Sequence, residues 1–213
     1  MKTEDLITLL ATGAAPVDRH VVARRFGWAL ITGGAGSTLL MSLVFGVRDD
    51  IATVAATPIF WFKIALPFFI ALGALLVTAR LARPAGKAGI AWAATAWPVA
   101  AVWIGALVLL WLAPPDTRLP LVMGQTWRGC PLNITLLSVP SFIAVIWALR
   151  GLAPTRLRAA GFAGGLLASA TATLAYCLHC PEMAVPFWAV WYVLGMAIPA
   201  AIGAWLGPKL LRW

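Results

Sequence analysis

Six long apolar segments, separated by short polar stretches, limit what this chain can fold into. Each comes close to the roughly 20 residues that a helix needs to cross a hydrocarbon layer of about 30 Å. Backbone groups at membrane depth must bond within their own segment, and no alternating strand pattern suggests a barrel. We therefore predict an all-α membrane bundle of six transmembrane helices. The predicted spans are residues 26–47, 57–79, 89–112, 130–149, 159–177 and 185–206.

The composition agrees with a membrane protein, because 62% of the 213 residues are hydrophobic and only 11% are charged. An ordinary soluble domain carries about a quarter charged residues. The first span follows 25 polar-leaning residues and lacks a convincing small-residue cleavage site, so we interpret it as a retained anchor rather than a signal peptide. The chain thus divides into an N-terminal segment, residues 1–25, and a transmembrane domain, residues 26–213.

The distribution of lysine and arginine predicts the orientation of the spans. Twelve of these residues fall on the side that holds both chain ends, whereas three fall on the other side. Since cytoplasmic loops keep an excess of them, we expect both termini in the cytoplasm. The net charge of +9 is then explained by topology and by attraction to anionic membrane lipids, and we expect no direct contact with nucleic acid. Lys63 lies inside the second span, and we expect its side chain to extend to the membrane surface.

Three cysteines fall at the end of the bundle opposite the chain termini. Cys130 opens the fourth span, Cys177 closes the fifth, and Cys180 lies in the loop before the sixth. In the predicted orientation, this is the oxidising side of the membrane. Cys130 and Cys180 each precede a proline, which is typical of a helix N-terminus, where the helix dipole favours a thiolate.

Three interpretations of these cysteines follow from residue chemistry. In the first, Cys130 and Cys180 form a disulfide. In the second, two or three thiolates, assisted by His179 or Met183, bind a soft ion such as Cu(I), or Zn(II) as a borderline ion. In the third, the cysteines are small apolar side chains packed at helix ends, and His179 only caps a loop. None of the three requires an obligatory cofactor.

The N-terminal segment contains two short amphipathic pieces joined by Gly-Ala-Ala-Pro. Thr3, followed by Glu4 and Asp5, is typical of a helix start, with a cap residue and first-turn acids. Leucines then recur at helical spacing on one face. A membrane-surface helix usually carries a basic polar face, whereas this one begins with acids, so we favour a cytoplasmic protein partner.

Five stretches of the chain resemble the NrsF-type family of negative regulators of sigma factor F, which are six-span inner-membrane anti-sigma factors of proteobacteria. The resemblance runs over essentially the whole chain and combines N-terminal, cysteine-bearing and C-terminal segments. The stretches are KTEDLITLLATGAAPVDR, GQTWRGCPLNI, GLAPTRLR, HCPEM and WYVLGMAIPAAIGAWLGPKLLRW.

The resemblance implies that the N-terminal segment holds an extracytoplasmic-function sigma factor inactive at the bacterial inner membrane. It also implies that periplasmic cysteines matching Cys130 and Cys180 sense heavy-metal or oxidative stress and trigger release. Cys177 is not carried over as a family cysteine. The residues we assign to the sigma-factor contact are Thr3, Asp5, Leu6, Leu9, Leu10, Pro16, Val17 and Arg19.

Two other classes of protein would use the same cysteines. A membrane thiol-disulfide oxidoreductase would need a second pair beside Cys177 and Cys180, and only one cysteine remains. A metal transporter would need ligands along a path through the bilayer, whereas the soft candidates concentrate at one end. No Ser-His-Asp or paired-carboxylate arrangement is present, so we do not expect an enzyme.

Glycines within 33–36 and 161–165 predict close helix packing, within the bundle or in a homo-oligomer.

Overall fold

The computed structural model describes residues 3–12 and 20–212, apart from the side chain of Leu10. Within these residues six helices are long and apolar enough to cross a membrane, as predicted. In chain order the helices are α1 (Thr3–Ala11), α2 (Val21–Val44), α3 (Ile51–Ala55), α4 (Pro58–Leu81), α5 (Ala91–Leu112), α6 (Pro115–Met123), α7 (Cys130–Arg150), α8 (Leu157–Tyr176), α9 (Val185–Phe187), a π-helical turn (Trp188–Tyr192) and α10 (Val193–Leu210).

The six spans are α2, α4, α5, α7, α8 and the continuous run Val185–Leu210, which joins α9, the π-helical turn and α10. Their alternation gives the bundle two ends. The N-terminal end holds the start of α2, and the cysteine end holds α3, α6 and the loop of residues 177–184. Helix α2 begins at Val21, whereas the predicted span begins at residue 26. Hydropathy marks only the apolar stretch, and the helix extends beyond it into the last residues of the polar-leaning N-terminal segment.

Helix α8 lies at the centre of the bundle, in contact with α2, α4, α7 and α10. Most of its side chains are glycine, alanine, serine or threonine, so neighbouring backbones can approach closely. A Cβ added to Gly161 or to Gly203 on α10 would overlap the carbonyl of the other, and Gly165 faces the carbonyl of Pro199 in the same way. The predicted close packing at residues 161–165 is confirmed within the bundle.

Helix α2 packs against α7 through small polar side chains. The Ser37 hydroxyl donates to the carbonyl of Leu137 at 2.8 Å and lies 2.9 Å from the Ser141 hydroxyl. A Cβ at Gly33 would lie only 2.7 Å from the Cα of Ser141. These contacts satisfy buried hydroxyls and hold the first span against the helix that begins with Cys130.

The sixth span is irregular near the cysteine end, where residues 188–192 form a π-helical turn. The turn contributes Trp188 and Tyr192, both of which are fully buried. Within the turn, the carbonyl of Ala189 accepts a hydrogen bond from Trp103 Nε1 at 2.8 Å. Single π turns often occur at functional sites because they change the direction of a few side chains without breaking the helix. Here both aromatic side chains belong to the same buried core cluster as the cysteines.

Candidate functional site

The three cysteines lie together in one buried cluster at the cysteine end, and we call this the thiol cluster. Cys130 is the first residue of α7, Cys177 follows α8, and Cys180 lies in the loop before α9. All three side chains have no exposed surface, and all three are free thiols. Tyr176 and Tyr192 belong to the same core cluster. The structure thus brings Cys130 to the other two cysteines from a separate span.

The loop that carries Cys180 is fixed by backbone contacts with the segment after α2. The backbone N–H of Arg48 donates to the carbonyl of Leu178 at 3.2 Å, and Nδ1 of His179 lies 3.0 Å from the carbonyl of Gly46. The N–H of Cys180 donates to the carbonyl of Tyr176 at 3.0 Å, which continues the end of α8. The loop therefore has a defined shape before any ligand is present.

The expected placement of Cys180 at a helix N-terminus is wrong. The last helix begins at Val185, with Pro186 rather than Pro181 in its first turn. Cys180 lies at the end of the turn that follows α8 instead, so the dipole of the sixth span is not positioned to favour its thiolate. Cys130 does lie at a helix start, because Pro131 occupies the first turn of α7.

Lys63 does not extend to the membrane surface, so that expectation is also wrong. Its side chain is fully buried, and its Nζ donates to the carbonyl of Cys180 at 2.5 Å. Nζ also lies 5.9 Å from the centre of the Tyr192 ring, and it is close enough to all three cysteines to interact electrostatically. The default interpretation of an ionisable residue within a span, that of a functional group, is therefore the better one here.

Two further groups complete the surroundings of the thiols. Arg48 donates from Nη1 to the carbonyl of Cys180 at 3.3 Å, so two cations converge on one backbone oxygen. The hydroxyl of Tyr192 is buried beside Cys177 and Cys180 and makes no hydrogen bond of acceptable geometry in the described part of the chain. An unpaired buried hydroxyl is uncommon, and this one has the thiols of Cys177 and Cys180 as its nearest polar neighbours.

Glu182 closes the cluster from the side of the loop between α6 and α7. Its Oε1 accepts hydrogen bonds from the backbone N–H groups of Gln125 and Thr126 at 2.6 and 3.0 Å, and from the Thr126 hydroxyl at 3.2 Å. Its own carbonyl accepts from Trp188 Nε1 at 3.1 Å. One carboxylate thereby ties the segment before Cys130 to the segment after Cys180. We call these contacts the Glu182 clamp.

The predicted auxiliary ligands lie beside the thiol cluster rather than inside it. Met183 packs against it as a half-buried side chain. The ring of His179 stacks on Phe45 with centroids 5.2 Å apart, and its Nδ1 is already engaged. Among residues 3–12 and 20–212, no three His, Cys, Asp or Glu side chains are arranged as a ready metal site. The arrangement suits chemistry that needs two thiols, either a disulfide or a two-coordinate soft ion.

The pKa values of Cys177, Arg48 and Asp50, which lie in the loops at the cysteine end, are shifted from their ordinary values. Burial raises the pKa of the Cys177 thiol to about 12, so this thiol stays protonated near neutral pH. The hydrogen bond to Asp50 raises the pKa of Arg48, and the same bond lowers the pKa of the Asp50 carboxyl. Arg48 is therefore a permanent cation beside the Cys180 loop.

At the other end of the molecule, α1 presents its side chains to the surroundings. Every described side chain of this helix is exposed, including Thr3 and Asp5, and the apolar Leu6 and Leu9 are 39% and 66% exposed. The predicted helix start at Thr3 agrees with the structure. The side chain of Leu10 and the residues Pro16, Val17 and Arg19 lie outside the described residues.

Sequence reasoning missed four residues of the site: Lys63, Arg48, Glu182 and Tyr192. For Lys63 the available signal is the rarity of a lysine within an apolar span. Glu182 lies within the same HCPEM stretch as Cys180, but it is held mainly by backbone N–H groups, and these are the same for almost every residue type. Tyr192 lies beside the cysteines at the end of the π-helical turn, and no sequence pattern predicts that turn.

Fold and site together define a six-span helical membrane protein with an exposed N-terminal helix and a buried thiol cluster. The family model described as negative regulator of sigma F matches residues 10–213. The chain is 48% identical to the probable anti-sigma-F factor NrsF of Azospira oryzae and 36% identical to the anti-sigma-F factor NrsF of Caulobacter vibrioides, each over the full length of both chains. The chain therefore belongs to the NrsF family of negative regulators of sigma F. No solved structure matches it.

Proposed function

We propose that this chain is an inner-membrane anti-sigma factor that holds an extracytoplasmic-function sigma factor through its N-terminal segment and releases it when the thiol cluster binds a soft metal ion or is oxidised. The curated relatives are named anti-sigma-F factors, which supports the regulatory role. The observation that carries the binding half is the exposure of the apolar side chains of α1. The excess of lysine and arginine at the N-terminal end supports a cytoplasmic location for α1, which stays a prediction.

Helix α1 suits a binding role because Leu6, Ile7 and Leu9, whose side chains are described, belong to neither of the two core clusters. A helix of nine residues is marginal in isolation, and most of its stability must come from packing against something else. Leu6 and Leu9 lie on one face, at the spacing that fits an apolar groove. A sigma factor that covers this face would gain burial of both leucines, each worth about 1.5 to 3 kcal/mol when fully buried.

The sensing half is supported by the way the thiol cluster joins separate spans. Cys130 belongs to α7, whereas Cys177 and Cys180 follow α8. A disulfide or a shared metal ion between Cys130 and Cys180 would fix these spans relative to each other. A preference of a few kcal/mol for one arrangement is enough to invert a two-state population. The thiols are enclosed, so the cysteine end must open before they react.

The binding half is tested by substituting the apolar face of α1. We expect Leu6→Asp with Leu9→Asp to abolish co-purification of the cognate sigma factor and to free it in a target-promoter reporter. Thr8→Asp is the matched control, because Thr8 lies outside the face formed by Leu6 and Leu9, about 160° around the helix axis from Leu6, and it should retain binding. Undiminished co-purification of the sigma factor with the double variant would overturn the binding half.

The sensing half is tested by substituting the cysteines. We expect Cys130→Ser with Cys180→Ser to keep the sigma factor sequestered and to remove the reporter response to Ag(I), Cu(I) and peroxide. Cys177→Ser is the control and should keep the response. Intact-mass measurement of the stimulated protein under native conditions separates the two chemistries, since a disulfide removes two hydrogens and a bound ion adds its mass less that of the protons it displaces. A full response in the double variant would overturn the sensing half.

A further inference from the structure

Lys63 brings an amine that can carry a positive charge into the enclosed thiol cluster, and that charge has no carboxylate partner among the described residues. Its side chain is fully buried and its Nζ donates to the carbonyl of Cys180 at 2.5 Å. No carboxylate within residues 3–12 and 20–212 forms an ion pair with it. An ammonium group has three donors, so two are left for another acceptor. A buried charge in this state is unfavourable until a negative charge joins it.

The charged groups around Lys63 do not supply that negative charge. Arg48 donates to the same Cys180 carbonyl and so adds a second cation. Asp50 is paired with Arg48 at 2.5 Å, and its side chain is 56% exposed. The carboxylate of Glu182 is already occupied by the backbone N–H groups of the loop before α7. The nearest groups able to become anionic inside the enclosure are the thiols themselves, together with the buried Tyr192 hydroxyl.

We propose that Lys63 determines the charge of the ligand that the thiol cluster accepts, so that the cluster favours a soft monovalent cation of the Cu(I) class held between two thiolates. In this step two S–H bonds break, two protons pass to water and two sulfur–metal bonds form, with no change of oxidation state. A monovalent ion with two thiolates carries one negative charge, which Lys63 neutralises. A divalent ion with two thiolates is neutral and leaves Lys63 uncompensated.

The geometry favours two thiolates over three. No three His, Cys, Asp or Glu side chains in the described part of the chain form a ready metal site, and a soft monovalent ion is satisfied by two sulfurs in a line. The buried hydroxyl of Tyr192, which has no hydrogen-bond partner among the described residues, is available to donate to a thiolate sulfur. This inference rests on the proposed metal response and adds its selectivity and the residue that produces it.

The test uses the purified full-length protein in detergent, with Cys177→Ser as the background so that only Cys130 and Cys180 remain. Ag(I) serves as an air-stable substitute for Cu(I), and Cd(II) is the divalent comparison. In this background we expect Lys63→Gln to weaken Ag(I) binding by roughly tenfold to a hundredfold, the Coulombic effect of one charge at this range, without weakening Cd(II) binding. Lys63→Arg keeps the charge and should keep Ag(I) binding.

Equal weakening of Ag(I) and Cd(II) by Lys63→Gln would show a purely structural role and overturn the inference, as would unchanged Ag(I) binding. If Lys63→Gln is not recovered as a folded protein, the test depends on Lys63→Arg. Loss of Ag(I) binding in that variant, which keeps the charge, would overturn the inference. Absence of Ag(I) binding to the unmodified protein would overturn both this inference and the metal half of the proposed function. Ag(I) binding that ignores the charge at position 63 would overturn the inference alone.

Discussion

The guanidinium of Arg25 occupies the place where a side chain at Gly151 would begin, and its Cζ lies 5.5 Å from the centre of the Trp147 ring. Gly151 directly follows α7, the helix whose first residue is Cys130. Arg25 lies in the second turn of α2 and is the last residue of the N-terminal segment. Helix α7 thus runs from the thiol cluster to Arg25, at the base of the segment proposed to bind the sigma factor.

We expect Arg25→Ala to reduce the reporter response to metal while leaving the sigma factor sequestered at rest. If the proposed rearrangement of α7 is passed to α2 through this contact, the substitution weakens it, whereas the binding face on α1 is untouched. Reporter activity with and without Ag(I) measures both quantities. Arg158→Ala is the control, because Arg158 is an exposed cation at the same end of the bundle. A normal Ag(I) response in Arg25→Ala would exclude this contact from the coupling.

Helices α8 and α10 pack so closely that a side chain at Gly165 should destabilise the bundle. A Cβ at Gly165 would lie 2.3 Å from the carbonyl oxygen of Pro199, and backbone cannot move aside as a flexible side chain can. We expect Gly165→Val to destabilise the bundle by about 1 to 3 kcal/mol or more, the usual effect of overpacking. Thermal unfolding in detergent checks this. Gly27→Ala on α2 has no neighbour within 4 Å and should be neutral or slightly stabilising.

The Glu182 clamp should control access to Cys130. Replacing Glu182 by Ala leaves two backbone N–H groups and one hydroxyl without their acceptor, and hydrogen bonds to a charged group are worth about 1.5 to 3 kcal/mol each. We expect the loop before α7 to open more often and Cys130 to be alkylated about tenfold faster or more. Mass spectrometry after maleimide treatment measures the rate at each cysteine.

The control for the Glu182 clamp is Asp116→Ala, since Asp116 is an exposed acid in α6 at the same end. It should leave the alkylation rate of Cys130 unchanged. Equal rates in the Glu182→Ala and unmodified proteins would mean that the clamp does not enclose the thiol cluster.

The contribution of the Arg48–Asp50 ion pair to stability should depend on pH. Arg48 lowers the pKa of Asp50 below its ordinary value of 3.8, so the contribution of the pair is complete above that value and is lost as the pH falls through the lowered pKa. We expect the difference in thermal midpoint between the unmodified protein and Asp50→Asn to be constant from about pH 5 to 8 and to shrink below about pH 4.

Asp49→Asn is the control for this prediction, because Asp49 is an exposed neighbour outside the pair. It should follow the unmodified protein at every pH. A difference between Asp50→Asn and the unmodified protein that instead grows on acidification would contradict the assigned pair.

The spans were predictable because each is a local property of the chain. Length and hydropathy gave all six, with boundaries shifted by a few residues at ends such as Val21, where the helix extends past the apolar stretch. The glycines at 161–165 were predictable as packing positions because a missing side chain has one dominant use between membrane helices. Which helix they face, α10, depends on the arrangement of the spans.

The surroundings of the cysteines were only partly predictable. Alternation of the spans is enough to bring Cys130, Cys177 and Cys180 to one end, and the structure brings them into one cluster. The expected helix N-terminus at Cys180 was wrong, since the chain makes a further turn and a short loop before Val185. The expected exposure of Lys63 was wrong because its depth in a span does not tell whether its side chain faces lipid or a neighbouring loop.

The sequence by itself therefore determined the number of spans, the end at which the cysteines lie and the apolar face of α1, because these follow from local periodicity and chain alternation. Only the tertiary structure decided that Lys63 and Arg48 meet the carbonyl of Cys180, and that Glu182 ties its loop to the one before Cys130. Those partners are backbone groups far away in the chain. A backbone oxygen or N–H has no residue identity, so only the packed helices reveal which side chain reaches it.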